Sequence, residues 1–79
     1  MEKTSKDKLK IGDIIFEQSA FNDDIWYIER ITHTSSDYIL GIILRLSEYS
    51  DLHVGNSVGI HPSNNIYKLS DEEAMVELI

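Results

Sequence analysis

Apolar and polar residues alternate in short runs along this chain, and the longest apolar run is Tyr38-Ile-Leu-Gly-Ile-Ile-Leu-Arg-Leu46. Ile39, Ile42 and Ile43 are β-branched, and such side chains suit a pleated, buried surface better than a helix. Tyr38, Leu40, Ile42, Leu44 and Leu46 form an apolar face at period two. Ile39 and Ile43 head the opposite face, which turns polar at Arg45 and Ser47. A strand apolar on one face and half-apolar on the other is expected at the centre of a sheet, covered on both sides.

The flanking segments supply the partners. Lys8 to Phe16 is predicted as a first strand, with a phase slip between Leu9, Ile11 and Ile14, Phe16 that calls for a bulge at Gly12. Ile25 to His33, dense in aromatic and β-branched residues, is predicted as the second. Ile25, Ile28 and Ile31 also fall at helical spacing behind the potential cap Asn22-Asp23-Asp24, but propensity and the short Thr34–Asp37 turn favour a strand. Val54, Val58 and Ile60 share one face of a further strand, His61-Pro-Ser-Asn-Asn65 is a turn, and Ile66 to Leu69 closes the set. Ser70-Asp-Glu-Glu73 reads as a capping box at the start of a C-terminal helix. A helix of about nine residues is too short to stand alone, so its stripe of Ala74, Met75, Leu78 and Ile79 is expected to cover the strands as a lid.

The segment Leu9-Lys-Ile-Gly-Asp-Ile-Ile15 resembles the first strand of SH3-like small barrels of the KOW or Tudor type, over about seven residues. The resemblance implies a small barrel. The further downstream glycines of the KOW pattern are missing, so no RNA contacts are implied. Pattern and resemblance together predict a mainly β fold: a small SH3-like open barrel of four to five antiparallel strands with a short C-terminal helix. It is expected as one domain over residues 8–79, preceded by a flexible basic tail at residues 1–7.

Composition narrows the function classes. A chain of 79 residues buries only about 60% of its unfolded surface, and without cysteine it has no disulfide or thiolate metal site to compensate. That shortage leaves room for a homo-oligomer, and the lack of cysteine fits a reducing cytoplasm. The net charge of −7 divides into +2 over residues 1–10 and −9 over residues 11–79. So acidic a body repels phosphate, which argues against direct nucleic-acid binding by the folded part. No signal peptide is expected, and the longest apolar run is too short to span a bilayer. Richness in Ile, Asp and Ser suggests an AT-rich coding genome, as in many bacteriophages and low-GC bacteria.

Candidate chemistry is sparse. Asp51, His53 and His61 could offer metal ligands but match no metal spacing, and His33 stands alone. Asp23-Asp24 and Asp71 to Glu73 read as a loop and a helix start rather than an acid–base pair. No nucleophile elbow or phosphate loop is present. Trp26 and Tyr38 fall inside apolar runs and are expected in the core, which leaves Tyr27, Tyr49 and Tyr67, with Asp23 and Asp24, as candidate partner-binding residues. The expectation is a non-enzymatic, cofactor-free module that binds another protein and touches no membrane. The alternative is an acidic nucleic-acid mimic that inhibits a host DNA- or RNA-binding enzyme.

Overall fold

A computed structural model describes residues 1–79. The chain forms β1 (Glu2–Thr4), a single 3-10 turn at Lys6–Lys8, β2 (Ile14–Gln18), β3 (Trp26–Thr34), β4 (Ile39–Leu46), β5 (Ser57–Gly59), β6 (Asn65–Lys68) and α1 (Asp71–Leu78). All six strands join one antiparallel sheet in the order β1-β6-β2-β3-β4-β5. β2 to β5 run as a meander, β6 returns to the far side of β2, and β1 adds outside β6. The sheet is open, with β1 and β5 as its edges. No helix is long and apolar enough to cross a membrane.

The sheet carries a core on each face. On the inner face Leu9, Ile15, Ile31, Ile39, Ile60 and Ile66 form one buried cluster. On the outer face Ile28, Leu69 and Ala74 form a second, with Ile14, Phe16 and Trp26 packed against it. β2 and β3 have sheet neighbours on both sides and apolar cover on both faces. The strand expected at the centre, β4, is instead second from an edge, bounded by the three-residue β5. Its buried residues are Ile39, Gly41 and Ile43, so the face with fewer large side chains points inward, while Tyr38 and Ile42 are exposed. Both faces of that run are apolar, so period alone could not choose between them.

Two irregularities set the faces. Ile28 pairs with Arg45 and Glu29 with Ile43, so Leu44 is an extra residue in β4. That bulge carries Arg45 to the outer face, where its guanidinium lies 5.6 Å from the Trp26 ring centre and its Nη1 reaches Glu77 at 3.1 Å. In β3 Thr32 is extra, between Ile31 opposite Gly41 and His33 opposite Leu40.

The N-terminal segments depart from expectation. Glu2 to Thr4 is a strand rather than a tail: Glu2 sits opposite Lys68 and Thr4 opposite Ile66. An edge supplied by β6 pairs with any backbone, so a polar sequence suffices, and the Met1 ammonium adds an ion pair with Glu73. The first long strand starts at Ile14, not Lys8. Gly12 at φ +96° lies in a turn closed by Asp13 N–H on Lys10 O at 3.0 Å, which absorbs the phase slip that a bulge was expected to absorb. Ile25 to His33 is strand as predicted, beginning at Trp26.

α1 begins as the sequence dictates. Ser70 Oγ accepts from Glu73 N–H at 3.2 Å, and Ser70 N–H donates to Glu73 Oε1 at 3.0 Å. The Met1 ammonium and the Ser70 N–H hold the Glu73 carboxyl down at about 2. Replacing Ser70 with Ala should lower stability by about 1 kcal/mol, whereas Ile31→Ala, at a fully buried inner-face site, should cost about 2–5 kcal/mol. Urea unfolding followed by Trp26 fluorescence measures both, and equal losses would contradict this ranking.

Candidate functional site

Antiparallel pairing puts directly opposed side chains on one face. Ile15 faces Glu29 and Glu17 faces Tyr27, so Glu17, Tyr27 and Glu29 all point to the inner side of the sheet, among isoleucines. Glu29 is 0% exposed and Glu17 2%. The space for Glu29 comes from Gly41 on the next strand, where a Cβ would stand 3.1 Å from the Glu29 Cβ.

The two carboxyls are served differently. Glu17 Oε2 accepts from the His61 backbone N–H at 3.1 Å and from Asn64 Nδ2 at 2.7 Å. Glu29 receives no hydrogen bond from any protein donor, and its one partner is the Glu17 carboxyl. Burial pushes the Glu29 carboxyl up to about 9, and the charge of the adjacent Glu17 pushes it the same way. Glu29 therefore holds a proton at neutral pH and lies against Glu17 as a neutral acid. A buried carboxylic acid beside a hydrogen-bonded carboxylate is a costly arrangement for a core this small.

Glu17 forms part of the wall of a concavity of about 360 Å³, together with Phe21, Tyr27, Leu52, Val58 and His61. Phe21, 84% exposed, meets the His61 ring edge-on at 6.5 Å between centres. Ser50 Oγ donates to the Tyr27 hydroxyl at 3.4 Å, and this contact holds the phenol at the rim. The arrangement provides one buried carboxyl in the cavity wall, a neutral acid behind it and three rings among the lining residues.

The residues nominated from sequence do not make one site. Tyr27 lines this concavity. Asp23, Asp24 and Tyr49 line a second concavity with Trp26, Arg45 and Glu48. Tyr67 is on the outer face, 6.2 Å from the Phe16 ring. Tyr38, expected in the core, is exposed and stacks on His33 at 4.9 Å. Asp51, His53 and His61 are not gathered, and no group of three or more His, Cys, Asp or Glu could hold a metal ion. Sequence reasoning missed Glu17 and Glu29. A signal was present: Glu17 lies two residues from Ile15, and Glu29 lies between Tyr27 and Ile31, on the inward side of its strand.

Comparison with known proteins adds no relative: no family model matches the chain, and neither a curated protein nor a solved structure matches it.

Glu29 makes stability depend on pH with a definite sign. Its folded-state value is raised from the ordinary 4.5 to about 9, so its contribution is fully present below about 4.5 and is lost as pH rises towards 9. Glu29→Gln keeps the shape and removes the ionisation. At about pH 8 this variant should be more stable than the parent by on the order of 2 kcal/mol, and its midpoint should change less with pH. Urea titrations at a series of pH values would refute this if both proteins lost stability in parallel.

Proposed function

We propose that this protein is a non-enzymatic interaction module, a small accessory or regulatory protein that docks on another protein through α1. The observation that carries the reading is the helix surface. Only Ala74 is buried in α1, while Met75 is 65% exposed, Val76 73% and Ile79 100%. The expectation that this stripe covers the sheet as a lid is thus not met, because one alanine against Ile28 and Leu69 makes the whole buried contact. Met1, also exposed, extends the apolar surface beside Val76.

The surrounding charge specifies the occupant. Asp71 and Glu72 precede the apolar residues and enter no ion pair, and α1 carries no basic residue in its last turn. An apolar groove rimmed by Lys or Arg on a partner protein fits that face, as an amphipathic helix fits a groove. A second copy of this chain fits it poorly, since each brings a net charge of −7. The sheet order β6-β2-β3-β4-β5 also supports reading the scaffold as an open SH3-like barrel. A reducing cytoplasm suits a chain without disulfides, and the AT-rich bias suits a phage or mobile-element source. Nucleic-acid mimicry receives less support. Glu17 and Glu29 are interior, while Asp13, Glu73 and Glu77 are engaged with Lys68, the N-terminus and Arg45.

Val76→Lys tests the reading, because lysine suits the last turn of a helix and repels a basic rim. The variant should unfold within about 0.5 kcal/mol of the parent and lose the proteins that the parent captures from host extract, identified by mass spectrometry. Retention of the same partners by the variant would overturn the assignment of α1.

A further inference from the structure

We propose that the concavity over Glu17 is a second site, on the opposite face of the sheet from α1, that takes the cationic head of a lysine or arginine side chain. Ile28 points outward to Ala74 and its neighbour Glu29 inward to Glu17, so the two surfaces are separated by the thickness of one sheet. Neither Glu17 nor Glu29 has a cation in contact within the molecule.

Three observations converge. The first is the paired acid. Glu29 is completely buried, and its one partner is Glu17, the one carboxylate that reaches the cavity wall. Two carboxyls sharing a proton in an apolar interior call for a physical reason, and a charge arriving from outside supplies one. The second is the opening. Phe21, Tyr27 and His61 offer ring faces and edges around Glu17, a setting in which an organic cation gains from both the carboxylate and the rings. Leu52 and Val58 provide apolar cover for an alkyl stem, as basic side chains prefer. The third is the long-range field. Residues 11–79 carry a net −9, which draws cations and rejects anions before contact.

The charge balance of the step is simple. In the empty site Glu29 is a neutral acid because a second anion beside Glu17 is too costly. A cation against Glu17 lowers that cost, so Glu29 gives up its proton to solvent and the site then holds two carboxylates and one cation. The titratable group against Glu29 is Glu17 from β2. β4 meets it with Gly41 and Ile43 and brings none. Binding should therefore release a proton and tighten with rising pH.

The probes are N-acetyl-lysine methylamide and N-acetyl-arginine methylamide, with the neutral N-acetyl-norleucine methylamide as control, followed by amide NMR shifts. One or both cationic probes should produce saturable shifts at Glu17, Phe21, Tyr27, Val58 and His61, and the norleucine probe none. Affinity should rise between about pH 6 and about pH 8, fall about tenfold in Glu17→Gln, and fall several-fold in Phe21→Ala. Phe21 is exposed, so its variant keeps the test usable if Glu17→Gln does not fold. Absence of saturable shifts with both cations, equal shifts with norleucine, or unchanged affinity in Phe21→Ala would overturn the proposal. Val76→Lys should bind the probes as the parent does, so a failure here is distinct from a failure of the α1 surface.

Discussion

Ile28 and Glu29 are neighbours in β3, point to opposite faces, and are both fully buried. A strand buried on both sides imposes a demand that a chain of this length meets only with difficulty. Each face must be covered by something other than sheet. On the inner face Leu9, just after the 3-10 turn, and Ile60, just past β5, pack with Ile15, Ile31, Ile39 and Ile66. The outer face is closed by Leu69 and one turn of α1. From the two ends of the chain only Leu9, Leu69 and Ala74 are buried in this task.

The same demand explains the cost carried by the inner face. An aliphatic residue at position 29 would be the ordinary solution there, given Ile15, Ile31 and Ile43 around it. A glutamate at that position needs the neighbouring Gly41 on β4 and a protonated form at neutral pH, both of which weaken the fold. Departures of this kind from local consistency are where function is expected to reside.

Much of the scaffold was legible in the chain. Ser70 and Glu73 announced the helix start because capping chemistry is local, and aromatic and β-branched density announced β3. What escaped was set by non-local pairing. β1 has no apolar pattern, since its partner is an edge backbone rather than a core. The inward face of β4 was hidden because both of its faces are apolar, and alternation alone does not show the bulge at Leu44 that turns Arg45 outward. The candidate site fared worse, because a glutamate in an apolar strand reads as an outward residue until the register with β2 is known. Tyr27 was found and its neighbours were not, for the same reason.

The open sheet has a further consequence. Its two exposed borders, β1 and β5, are three residues long, and β1 presents Glu2 and Lys3 there. Short, charged borders make poor templates for strand addition, so a concentrated solution of this protein has little to nucleate fibrous growth. An uncapped sheet in so small a chain would otherwise be a hazard in a crowded cell.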